Sequence, residues 1–183
     1  MAERASVTVT IIGNSSGVRP TARATANMID SSIGRANQTF TALNLETGKT
    51  AMIEVESVDA ASTIKLLEAI EAMYPLMAII HVFLDNARYH HAVLVQEWLT
   101  QPGRRIKLHF LPTYSPHLNP IERLWGVMHK HLTHNKCWRD YRTFAETVLW
   151  FLRDKVPRRW DDFRDSVTDN FRVINPKDFR VLA

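Results

Sequence analysis

Ala78-Ile79-Ile80-His81-Val82-Phe83-Leu84-Asp85 is the segment from which the architecture follows. A nearly continuous apolar run of this length, closed by a carboxylate, fits a central strand covered on both faces. Downstream, Tyr89 to Thr100 predicts a helix with Ala92, Val95, Trp98 and Leu99 on one side. Pro102-Gly103 stops it, and Ile106 to Leu111 reads as the next strand. Past a Pro-rich loop, a helix is expected from Asn119 to about His131 and another from Tyr141 to Lys155. The latter carries Phe144, Val148, Phe151 and Leu152 on one face.

Upstream, Asp59 can cap a helix carrying Ile64, Leu67, Ile70 and Met73 or Tyr74, with Pro75 as its stop. Before it, Thr39–Leu45 and Thr50–Val58 predict a hairpin turning at Glu46-Thr47-Gly48. Ser6 to Ile12 suits a strand, whereas Gly13 to Ile33 has no steady period and reads as loop. The order of elements gives an α/β fold with one core. Its sheet is mixed, an antiparallel hairpin followed by parallel strands, with helices against it and a degenerate first strand. Three segments are expected: an irregular 1–37, a core at 38–135, and a C-terminal helical extension at 136–183 of the same domain.

At 183 residues, 45% hydrophobic and 23% charged, the chain can bury a core without disulfides or metals. Cys137 is the only cysteine, which excludes an intrachain disulfide and points to a reducing, cytoplasmic setting. The run Val7 to Ile12 is too short for a signal-peptide core or a membrane span, so no membrane partner is expected. Charge is unevenly spread: residues 1–85 carry a net −3, residues 86–183 a net +7, and every Trp and His lies beyond residue 80. A basic, aromatic-rich half suits a polyanion partner, although a solvated basic surface has the same composition. Arg104, Arg105, Arg158 and Arg159 are the candidate phosphate contacts.

Two carboxylates stand out by position. Asp85 ends the most apolar strand, and ligands of α/β sheets gather beyond the carboxyl ends of strands. Glu122 lies in the first turn of the helix after the next strand, so both should emerge on one edge. Paired oxygen donors suit a hard divalent ion such as Mg²⁺. Each has a structural alternative: Asp85 as an Asx turn, and Glu122 as part of a capping box with Asn119 as cap and Pro120 at the first helical position. His129, His131 and His134 also suggest a metal cluster, but no carboxylate accompanies them. Trp125, spaced from Ile121 and Met128, reads as core.

The words Asp85-Asn86-Ala87-Arg88-Tyr89-His90 and Leu111-Pro112-Thr113-Tyr114-Ser115-Pro116-His117-Leu118-Asn119-Pro120-Ile121-Glu122-Arg123-Leu124-Trp125, with 36 residues between the acids, resemble the signature of mariner-superfamily transposases, closest to their bacterial insertion-sequence branch. The likeness runs from about Leu43 to Leu182. It implies a ribonuclease H-like fold and a D-D-E site binding two Mg²⁺ or Mn²⁺ ions. It further implies cleavage of DNA at transposon ends, strand transfer to a target, and a homodimer. Two metals bridging one phosphate activate the attacking oxygen and stabilise the leaving one. On this resemblance Asp85 matches the second acid and Glu122 the third. Asn86, His90, Asn119 and Pro120 match positions that shape the pocket, with His90 as a general base the lesser alternative. The first acid has no match. Counting back from the Glu46-Thr47-Gly48 turn reaches Met1 to Ser6, where only Glu3 is acidic, and Asp30 lies in the aperiodic stretch. The family's end-recognising helix-turn-helix is likewise unmatched. The expectation is a catalytic-domain fragment, or a truncated, inactive remnant that folds and binds DNA non-specifically.

Overall fold

The computed structural model describes residues 6–11, 38–112, 118–134 and 137–168. Five strands, β1 (Ser6–Ile11), β2 (Gln38–Asn44), β3 (Thr50–Val55), β4 (Ile79–Leu84) and β5 (Ile106–Phe110), form one sheet in the order β3-β2-β1-β4-β5. β1 pairs antiparallel with β2 and parallel with β4, and β4 pairs parallel with β5. This is the mixed ribonuclease H-like sheet, and its parallel strands leave their carboxyl ends together at one edge. Ile12, the 13–33 loop, Glu3 and Asp30 lie outside the described residues.

The β2–β3 turn is held by Asn44, whose Oδ1 accepts the N–H groups of Glu46 and Thr47, with Gly48 at φ +67°. β3 stops at Val55 rather than Val58, because Asp59 and Ser62 close a capping box that starts helix α1 (Ala60–Met73). Leu66, Leu67 and Ile70 of α1 are fully buried, and Met73 points outward. The expected helix over 89–100 is broken. Arg88–His91 form a 3₁₀ turn, Ala92 is extended (φ −58°, ψ 144°), and helix α2 runs only from Val93 to Leu99. The break carries His90 into the interior, which a continuous helix would not do.

Helix α3 (Pro120–Leu132) follows β5, then α4 (Tyr141–Trp150). The expected stop at Lys155 is overrun. The chain continues through a π-helical segment, Phe151–Lys155, and one turn, Val156–Arg158, to α5 (Trp160–Thr168), which periodicity did not reveal. Its apolar residues, Trp160, Phe163 and Val167, are diluted by Asp161, Asp162, Arg164 and Asp165.

The expected single core is two hydrophobic clusters, one on each face of the sheet. One packs α1 and α2 on Ile80, Val82 and Leu84 of β4. The other packs α3, α4 and α5 on Leu43 and Met52. β4 alternates between the first cluster and the opposite face, so its pattern is half-buried rather than buried throughout. No helix of the described residues is long and apolar enough to cross a membrane.

Candidate active site

Asp85 follows the last residue of β4, where the chain must turn away from the sheet. Its Oδ1 accepts the Ala87 N–H at 3.0 Å, the Asx turn read from sequence as an alternative. The side chain stays about half exposed, so the turn leaves it open to further partners. Asn86 ties two strand exits together: its Nδ2 donates to the Leu111 carbonyl, and its Oδ1 accepts from His91 Nε2 at 3.1 Å. Leu111 N–H in turn donates to the Leu84 carbonyl at 2.8 Å. The ends of β4 and β5 are thus clamped beside Asp85.

His90 is buried in the 3₁₀ turn, stacked on Phe40 and edge-on to Tyr89. Its Nδ1 lies 3.4 Å from Thr63 Oγ1, while Nε2 has no hydrogen-bond partner and sits 3.6 Å from Asp85 Oδ1. Burial, with a smaller contribution from His91, pulls its pKa down to about 4, so the ring is neutral at pH 7. A neutral ring thus lies against the flank of the Asp85 carboxylate.

Asn119 caps α3 and is buried, and Pro120 takes the first helical position. The expected capping box is realised differently. Asn119 Oδ1 accepts from Ile121 N–H at 3.4 Å. The electrostatic partner of the Glu122 carboxyl is Asp85. Burial first, and the negative charge of Asp85 second, raise the Glu122 pKa above the usual carboxylate value. Two acids from different elements therefore share one field at the sheet edge. Their oxygen donors suit a hard divalent cation, which would relieve the repulsion between them. None of the six residues of β1, the strand beside β4, is acidic, and no group of three or more His, Cys, Asp or Glu suited to a metal occurs among the described residues.

The arginines divide. Arg105 donates to the carbonyls of Glu71, Tyr74 and Met77, and its N–H to Glu71 Oε1. Arg104 pairs with Glu71 at 3.1 Å and lies 4.0 Å from the Trp98 ring centroid. Both guanidinium groups are spent on the protein, tying the end of α1 to the start of β5, rather than displayed to a phosphate. Arg158 and Arg159 are exposed and pair with Asp154 and Asp162, close by in sequence. Trp125 packs, partly buried, against the second cluster. His131 lies against Phe151 and Phe163, and His129 faces His134 with ring centroids 6.3 Å apart.

Sheet order and flanking helices together define a ribonuclease H-like domain, with Asp85 and Glu122 at the edge where its parallel strands end. Residues 18–145 match the DDE superfamily endonuclease family, and the chain belongs to it. The chain is 33% identical over 117 residues to an insertion element IS630 uncharacterized 39 kDa protein of Shigella sonnei, covering 60% of this chain and 34% of that protein. It is 36% identical over 78 residues to the uncharacterized protein y4pE/y4sA of Sinorhizobium fredii (strain NBRC 101917 / NGR234), covering 39% of this chain and 56% of the relative. The chain thus spans about a third and about half of these two relatives. Among solved structures, the catalytic domain of Mos1 transposase with raltegravir and Mn superposes with a TM-score of 0.52 at 18% identity, over 90% of this chain and 84% of that one. The Mos1 paired-end complex with the left transposon end gives 0.51 at 20%, over 90% and 56%. At such identities the likeness is one of fold.

Proposed function

We propose that the chain is the catalytic core of an insertion-element transposase that cuts and joins DNA with a divalent cation, Mg²⁺ or Mn²⁺, held by Asp85 and Glu122. The observation that carries this reading is the placement of those two carboxyls, Asp85 just after β4 and Glu122 in the first turn of α3, with the charge of Asp85 adding to burial in raising the Glu122 pKa. The insertion-element relative and the Mos1 complexes, solved with a transposon end and with Mn, support it.

A cation held there supplies charge neutralisation at a phosphodiester and a more acidic water. The chain's own residues prepare the place. The Ala87 N–H and the neutral His90 ring orient Asp85, and the Asn86 clamp fixes the distance between strand exits. Glu122 holds its proton more tightly than an exposed Glu until positive charge arrives. Thr50 Oγ1 donates to the Leu152 carbonyl, which ties β3 to the π-helical segment that follows α4. Homodimerisation around paired DNA ends, and a cytoplasmic setting, complete the proposal.

A second reading is favoured by one observation: among the described residues β1 contributes no acid to stand with Asp85 and Glu122. On that reading the domain folds and holds DNA without cutting it. Supercoiled plasmid carrying the element end, incubated with Mn²⁺ or Mg²⁺, discriminates the two. Metal-dependent nicking lost in Asp85→Asn and in Glu122→Gln supports the enzyme. DNA retention with no nicking by the wild type selects the remnant.

A further inference from the structure

The sheet face opposite the first cluster carries a row of rings that stops two residues short of Asp85. Ile80, Val82 and Leu84 of β4 are fully buried in the first cluster, so Ile79, His81 and Phe83 point to the other side. On β5, Ile106, Leu108 and Phe110 pack on the first cluster, which turns Lys107 and His109 to the same side as His81 and Phe83. The register sets His81 beside Lys107 and Phe83 beside His109. Phe83 and His109 stack with centroids 4.7 Å apart and planes 16° from parallel, and His81 Nδ1 meets His109 Nε2 at 2.8 Å. Phe83 belongs to neither hydrophobic cluster. The second cluster draws on β2 and β3, and α3 approaches β1, but among the described residues no helix packs over β4 and β5 on this side. Three rings that hold one another thus form a floor, half-buried, with the exposed Lys107 at its margin.

We propose that this His81-Phe83-His109 row is a stacking floor for an unpaired DNA base next to the phosphate bound at Asp85 and Glu122. The inference rests on the functional reading above and adds where the strand lies. Phe83 is two residues, about 7 Å, before Asp85 along the strand, within reach of the nucleotide flanking the bound phosphate. Aromatic faces accept any base, because every base has a π-face, and a lone lysine supplies the backbone attraction. The row therefore recognises an opened strand end rather than a sequence. Burial, with His81 and Lys107 nearby, lowers the His109 pKa, which favours the neutral ring.

The test uses the full chain with Ca²⁺, a hard divalent ion that can bridge the two acids and the phosphate, and duplexes carrying 2-aminopurine in a three-nucleotide single-stranded overhang or at an internal paired position. The overhang probe should be quenched on binding and the internal probe should not. Phe83→Leu and His109→Asn should each abolish the quench and weaken overhang binding roughly tenfold, leaving blunt-duplex affinity unchanged. Phe83→Tyr should restore both, and equal melting temperatures show that the fold is kept. Wild type that binds duplex without quenching the overhang overturns the stacking floor alone, as does Phe83→Leu behaving like wild type. Wild type that binds no DNA at all overturns both this inference and the functional reading.

Discussion

Glu122 and His90 bracket Asp85 with opposite electrostatic consequences. The folded-state pKa of Glu122 is raised, so its ionised form costs stability at neutral pH, and that cost disappears as pH falls below the ordinary Glu value. Glu122→Gln should therefore raise the melting temperature at pH 7. Added Mn²⁺ should stabilise the wild type and not the variant, since only a ligand bound to the native state shifts the midpoint. Calorimetric melts with and without metal check this, and a destabilised Glu122→Gln protein would contradict the burial argument. His90 carries the reverse sign. Its folded pKa, about 4, lies below the unfolded value of about 6.5. Its contribution is complete above pH 6.5 and is lost as pH falls toward 4, by at most about 3 kcal/mol. Urea unfolding between pH 7 and 4.5 should show that slope in the wild type and a flatter one in His90→Gln.

At the scale of elements, one close approach fastens the hairpin turn to the start of α5. Gly48 sits at φ +67° with Trp160 packed where a Cβ would stand, 2.6 Å from Cε3, and Trp160 Nε1 donates to the Leu45 carbonyl at 3.2 Å. Gly48→Ala adds both left-handed strain and a clash, an expected loss of roughly 2–4 kcal/mol. Gly126, inside α3, has nothing within 4 Å of a built Cβ. Gly126→Ala should thus stabilise by about 0.5–1 kcal/mol through helix propensity. Denaturant curves for the two alanines should move in opposite directions. A shift of both the same way would mean that Trp160 does not hold the turn.

Over the whole molecule, the basic charge of residues 86–183 is in part absorbed internally. Arg104 and Arg105 hold the base of the sheet together, whereas Arg158 and Arg159 remain at the surface with short-range acidic partners. Neutralising Arg158 and Arg159 together should weaken binding to every duplex alike. It should also flatten the salt dependence by about one slope unit for each phosphate left without its arginine. Arg105→Ala should lower stability and leave that slope unchanged. Titrations across a salt series, paired with melts, separate the two, and a salt-independent wild type would refute phosphate-driven affinity.

Much of this molecule is legible along the chain, because helix caps, strand alternation and turn residues act over a few positions. Asp59 as a cap, the Gly48 turn, the apolar run into Asp85, and Asn119-Pro120 opening the helix that bears Glu122 all come from neighbours in sequence. What lay beyond reach depends on partners far away. The Arg105 guanidinium reads as a phosphate contact until the end of α1 and the residues after it present three carbonyls to it. α5 is too charged to announce itself and exists because Trp160 and Phe163 find a hydrophobic cluster to enter. The 3₁₀ break at Arg88–His91 wins over helix propensity because it buries His90 on Phe40. Local signals placed each acid on its element. Only the tertiary fold puts Asp85 and Glu122 in one field, since charge coupling depends on distance through space and not along the chain.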